Sequence, residues 1–227
     1  MVIISIPNTK KKTFQELILN WADNNLVEYP WRNKRNPYKV LISEILLTRT
    51  RAKQVTPVYT DFMTKYPTLN HFLKAELIDL KEILKSLGLL FRAEMLIDLA
   101  FQLINDFDNK IPNNLADLKT LKGIGDYGAN AILCFGFNER NPLIDANFIR
   151  IFTRVFGIKS KSKTPKTDKF LWETSKTILP NTNYIIYNYG VLDLGGNICL
   201  NRTPKCAICP IKKLCLYYSN IVKVSES

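Results

Sequence analysis

The chain has 227 residues, 46% of them apolar, and carries 32 Lys and Arg against 20 Asp and Glu, a formal charge of +12. That length supports a sizeable core in one body or two lobes rather than a string of small modules, and no uncharged apolar run approaches the roughly 20 residues needed to cross a bilayer. The positive excess creates a field that attracts polyanions, so nucleic acid leads the candidate partners, with plain solubility as the alternative. The opening MVIISIP, followed by Lys10, Lys11 and Lys12, has neither the length nor the order of a secretory signal, which implies an intracellular protein whose thiols stay reduced.

In chain order, apolar residues recur at helical spacing in FQELILNWADNNL (14–26), YKVLISEILL (38–47), ELIDLKEILKSL (76–87) and AEMLIDLAFQLI (93–104). Nothing alternates like a strand, and Pro30, Asn36-Pro37, Gly88, Ile111-Pro112, Gly157 and Thr164-Pro165 punctuate the runs. The pattern predicts an all-α protein of about ten short helices. Basic residues clump at Arg32, Lys34 and Arg35, at Arg49, Arg51 and Lys53, and in the loop Lys159, Lys161, Lys163 and Lys166, which reads as a mobile surface segment.

Five stretches carry chemistry. Glu44 interrupts an apolar helical face, where a carboxylate needs either a basic partner or a function. Leu89, Leu90 and Phe91 follow Gly88, and their simplest reading is a buried loop anchor. In LKGIGDYGA, Gly123 and Gly125 allow a tight turn between two helical patterns; the second helix's free N–H groups, with Lys122 beside them, suit a phosphate, although Gly-x-Gly alone fits any helix–helix turn. Asp145 precedes the amphipathic ANFIRIF and is a natural N-cap, a position that favours an ionised carboxylate. Cys199, Cys206, Cys209 and Cys215 lie at intervals of six, two and five residues, and four thiolates suit either zinc or an iron-sulfur cluster, with only one Cys-x2-Cys knuckle present. Cys134 reads as a core residue.

LKGIGDYGA, LIDANFIRIF and the four-cysteine spacing, in that order, resemble the helix-hairpin-helix DNA glycosylases of the endonuclease III superfamily, over residues 14–217. The resemblance implies a two-lobed endonuclease III-like fold, with a helical barrel over 32–143 that contains the hairpin (113–137), and an iron-sulfur domain formed by 1–31 with 144–227. It implies a 4Fe-4S cluster on the four cysteines, a monomer, and a double-stranded DNA partner with a mismatched or damaged base flipped from the stack. Asp145 is implied as the carboxylate that stabilises the sugar cation and Glu44 as a pocket acid with raised pKa. Bifunctional members carry a lysine two residues after the second hairpin glycine. Tyr127 stands there, so the resemblance implies base removal with weak or no strand cleavage, the Tyr127 ring lying against the flipped nucleotide. Lys122, Gly123, Gly125, Arg49, Arg51 and Asn147, with a wedge from Leu89, Leu90 or Phe91, are the implied DNA contacts. EILLTRT (44–50) and DANF (145–148) look closer to thymine/uracil mismatch glycosylases than to adenine glycosylases. The chain also ends twelve residues after Cys215, without the further domain that adenine glycosylases carry, so T or U opposite G is expected ahead of A opposite 8-oxoguanine or G. A non-catalytic binder of distorted DNA is the rival class. Two departures stand out: Lys122 replaces the family's hairpin proline, and the loop 88–93 is about one residue short.

Overall fold

The structure is a computed structural model that describes residues 6–88 and 90–225. Among them every regular element is helical, as the periodicity predicts, and no helix is long and apolar enough to cross a membrane. Packing divides the chain into two compact units: Glu28–Glu139, and the residues through Val27 together with Arg140 onward. The expected limits at 32 and 143 fall a few residues later than these.

The discontinuous unit begins with α1 (Asn8–Asn25), whose buried stripe is Phe14, Ile18 and Ala22. The continuous unit holds α2 (Pro37–Leu47), α3 (Ala52–Lys65), the single turn α4 (Leu69–Phe72), α5 (Leu77–Leu84), α6 (Phe91–Asp106), α7 (Leu115–Leu118) and α8 (Asp126–Ala131). A π-turn, Ile132–Gly136, continues α8. Asn36 caps α2 by accepting the Lys39 amide at 2.9 Å, and Pro37 supplies a first-turn φ that is already helical. Beyond that cap α2 buries Tyr38, Val40, Leu41, Ile42, Ser43, Ile45 and Leu46, and it packs on α3, α8 and the π-turn. Each large apolar side chain so buried contributes about 1.5–3 kcal/mol, which fixes the helix that carries Glu44.

The discontinuous unit continues with α9 (Ala146–Phe156), α10 (Lys169–Ile178), α11 (Tyr184–Asn197) and α12 (Leu216–Ser225). Phe148, Ile151, Phe152, Val155 and Phe156 recur at helical spacing and make the buried face of α9. Phe14 meets Phe152, Phe156 and Tyr187 edge-on, with centroids 6.3, 5.1 and 6.2 Å apart, so α1, α9 and α11 share one aromatic core. The lysine-rich stretch 159–166 lies mostly at the surface, as expected, and is tied down near its start. Asp168 Oδ2 accepts Ser160 Oγ at 2.7 Å and the Lys161 amide at 2.6 Å, while Oδ1 accepts the Phe170 amide at 2.9 Å. Burial pushes the Asp168 carboxyl up, but these hydrogen bonds prevail and hold it below the ordinary range.

Candidate functional site

In the discontinuous unit, Asp145 is the N-cap of α9. Its Oδ1 accepts the amides of Asn147 and Phe148, both at 2.8 Å, and its Oδ2 accepts Asn147 Nδ2 at 2.9 Å. The apolar pair Leu143–Ile144 ahead of it is fully buried, and Asp145 itself is half-buried. The donors pull as the sequence predicts, but burial pushes the Asp145 carboxyl upward, against the opposing pull of the Phe148 and Asn147 amides, the Arg150 charge and the Asn147 side chain. Two amides and a helix start favour the anion, but loss of solvation outweighs them.

Asn147 is itself held. Its Oδ1 accepts Arg150 Nη2 at 2.7 Å, and the same Nη2 reaches the Gly195 carbonyl at 2.7 Å. A Cβ on Gly195 would lie 2.5 Å from Asn147 Cβ, 2.8 Å from Cγ and 2.9 Å from Oδ1, so only glycine lets α11 approach this closely. Arg150 Nε donates to the Cys199 carbonyl at 2.6 Å. One turn on, Arg154 Nη1 donates to Cys199 Sγ at 3.3 Å and to the Leu200 carbonyl at 2.7 Å. A continuous set of hydrogen bonds therefore runs from the Asp145 carboxylate to the first cysteine.

Cys199, Cys206, Cys209 and Cys215 line one cavity of roughly 340 Å3 including its open mouth, closed by Arg154, Ile198, Ile211 and Tyr217. Burial pushes the Cys209 thiol up to about 11. The Ile211 amide opposes this, and the neighbouring Cys199, Cys215 and Cys206 add to it; the Cys215 thiol is raised by burial as well. Among the described residues no three His, Cys, Asp or Glu side chains converge as ligands of one ion. The donor set still fits a thiolate-bound group, because all four cysteines line one cavity and an arginine N–H donates to the sulfur of Cys199. Of the basic residues on this loop, Arg202, Lys205 and Lys213 are exposed. Lys212 turns back and donates to the Ala207 carbonyl at 2.6 Å.

The continuous unit holds the rest. Glu44 is half-buried on α2. Tyr127, also half-buried, sits on the first turn of α8, and α2 packs against α8. The hairpin has the expected tight turn: Gly123 is left-handed at φ 81°, and a Cβ there would lie 2.7 Å from Met95 Sδ. Gly125 is extended at φ −104° and precedes Asp126 as the N-cap of α8. Lys122 is exposed, and Asp126 pairs with Lys119 at 2.5 Å. Arg49 and Arg51 are exposed beyond the end of α2, Arg49 with a left-handed φ of 57°. Leu90 and Phe91 are 48% and 59% exposed, which removes the buried-anchor alternative for them. Leu89 lies outside the described residues.

Sequence reasoning missed Arg92, Gln102, Arg150 and Arg154. A signal existed for Arg92: it falls at position i of the stripe 92, 96, 99, 103, whose other members are buried leucines.

An N-capping aspartate, a helical hairpin turning on a left-handed glycine and exposed arginines, on a scaffold without strands among the described residues, are features of a helix-hairpin-helix protein. The family model for the HhH-GPD superfamily of base excision DNA repair proteins matches residues 42–177, and the chain belongs to that family. The matched span contains Glu44, Tyr127 and Asp145 and stops short of the four cysteines. Thymine/uracil-DNA glycosylase of Methanothermobacter thermautotrophicus is 37% identical over 93% of this chain and 96% of its own length. Adenine DNA glycosylase of Buchnera aphidicola subsp. Baizongia pistaciae is 36% identical over 91% of this chain, but the match spans 59% of its own length. Among solved structures, a thermostable thymine-DNA glycosylase superposes with a TM-score of 0.87 at 37% identity, covering 94% of this chain and 98% of that one. A trapped endonuclease III–DNA covalent intermediate shares the fold, with a TM-score of 0.80 at 20% identity over 96% of this chain and 100% of that one. The fold is therefore all-helical and endonuclease III-like.

Proposed function

We propose that this DNA glycosylase is monofunctional and hydrolyses the N-glycosidic bond of T or U opposite G, leaving an abasic site. The observation that carries the reading is the half-buried Asp145 carboxylate, fixed by three hydrogen bonds, with its pKa pushed up by burial. An anion held in that state gains most when positive charge develops beside it, as it does on the sugar when the base departs. Extruding a mismatched base costs less than extruding a paired one, which supplies part of the selectivity. Glu44, a carboxylate on a mostly buried helix, is assigned as the acid that hydrogen-bonds or protonates the leaving base. Tyr127 offers a ring for stacking and no amine for a Schiff base, so water completes the reaction. Lys122, Gly123 and Gly125 of the hairpin, with Arg49, Arg51 and Asn147, are assigned as DNA contacts; Leu90 or Phe91 is the wedge that fills the vacated stack.

The four cysteines are assigned to a 4Fe-4S cluster, which when bound supplies a thiolate-anchored staple for the C-terminal segment and no step in base removal. Zinc is the alternative for the same thiols. The 37% relative that acts on thymine and uracil, matched over nearly its whole length, favours mismatch repair; the 36% adenine relative supports the second reading. Single-turnover assays on duplexes with T, U or A opposite G or 8-oxoguanine, each followed by alkali, separate the two. Release from T:G and U:G, with no adduct trapped by borohydride, is the expected result. Release of A alone overturns the substrate assignment, and wild-type-like rates in Asp145→Asn overturn the mechanism.

A further inference from the structure

Helix α6 carries polar side chains that base removal does not use, and each holds a different exposed element. Arg92, in its first turn, is 1% exposed. Its Nη1 donates to the Leu46 carbonyl at 2.9 Å; its Nη2 donates to the Thr48 carbonyl and, at 2.9 Å, to Thr50 Oγ1. These acceptors bracket Arg49, whose left-handed backbone a non-glycine residue keeps only when its surroundings impose it. Ten residues on, about 15 Å along the helix, Gln102 uses both ends of its amide on the hairpin. Its Nε2 donates to the Thr120 carbonyl at 3.0 Å, and its Oε1 accepts the Lys122 amide at 3.0 Å. Between them Met95 lies beneath Gly123, whose left-handed φ of 81° favours glycine. Immediately before Arg92 stand the exposed Leu90 and Phe91.

We infer that Arg92 and Gln102 are positioning residues, and that α6 is a rigid spacer fixing the distance between the arginine loop 48–51 and the hairpin 121–125, so that both meet the duplex already set for it. The inference rests on the reading that these two elements grip DNA. A grip ordered before contact avoids the entropy cost of ordering it on the duplex, so loss of the spacer falls on affinity more than on bond breaking. Arg92 as a mere cap for the end of α2 would affect thermal stability alone.

The test uses Arg92→Lys and Gln102→Leu in the full chain. Gln102 is only partly buried, so its variant keeps the proposal testable if the first one misfolds. Two readouts are taken on folded protein: Kd for a duplex carrying a non-cleavable abasic analogue, and the single-turnover excision rate at saturating enzyme. Each variant is expected to raise Kd about tenfold while the saturated rate falls less than about threefold. Adding Arg92→Lys to Arg49→Ala should then cost less than about threefold more, because the loop it positions has already lost its contact. Unchanged Kd in both variants, or effects that multiply in full on Arg49→Ala, overturns the inference. Wild-type protein that binds no lesion duplex overturns the DNA-grip reading itself, which is a distinguishable outcome.

Discussion

Adjacent glycines on α11 provide a matched pair of substitutions. At Gly196 an added Cβ meets nothing within 4 Å. Gly196→Ala should therefore gain the helical preference of alanine over glycine, roughly 0.5–1 kcal/mol. Gly195→Ala carries the same preference, but its Cβ would sit 2.5 Å from Asn147 Cβ and 2.8 Å from Cγ, and neither helix can yield without disturbing the aromatic core. Overpacking of this kind costs about 1–3 kcal/mol, often more than the propensity gain. For a chain of this size each kcal/mol shifts Tm by about 2–4 °C, so Gly196→Ala should melt a few degrees above wild type and Gly195→Ala below it. The second effect is on the carboxylate. Displacing Asn147 removes its Nδ2 hydrogen bond to Asp145 Oδ2 and lets the carboxylate leave its set orientation, a misplacement that costs on the order of 100-fold in single-turnover rate. Calorimetry and the excision assay on both variants decide the matter. Gly195→Ala with wild-type excision, or melting at or above Gly196→Ala, would refute the view that α11 seats Asn147 on the carboxylate.

Two further outcomes follow from the same unit. Excision requires Asp145 ionised, and burial raises its pKa, so the rate should fall with decreasing pH through a limb lying above the ordinary aspartate value of 3.8. A single-turnover pH profile reads that limb directly, and a rate flat down to the ordinary aspartate range contradicts it. Cys206→Ser removes one of the four thiols around the cavity and should lower Tm and abolish the yellow-brown visible absorption of a 4Fe-4S protein; a colourless wild type with stoichiometric zinc would reassign the site.

What was legible in the sequence is what local chemistry sets. The buried stripe of α9, the cap at Asp145, the left-handed turn at Gly123 and the spacing of the thiols each need only a few neighbouring residues, and each is where the pattern predicts it. What was not legible depends on partners remote in the chain. Arg92 finds Leu46 and Thr48 more than forty positions away, and Arg150 finds Cys199 at a separation of 49. No periodicity encodes those pairings. The anchor of 159–166 was equally hidden from composition, because Asp168, which accepts from Ser160 and Lys161, lies beyond its end.

The raised carboxyl of Asp145 also explains why so many groups attend it. A carboxylate whose pKa is raised by folding is more stable in the folded state when protonated, so its contribution to stability is present below the unfolded pKa and lost as pH rises through the folded one. Above the folded pKa that contribution is gone. The Asn147 and Phe148 amides, the Asn147 side chain and the Arg150 charge all pull the other way, and Arg150 is in turn anchored on carbonyls of Gly195 and Cys199. A packing purpose alone would be met by asparagine or serine at the same cap, either of which satisfies the α9 amides without burying a charge. Retaining an acid there, with an arginine recruited from the same helix to make it tolerable, is the pattern expected when the anion itself is what the site needs.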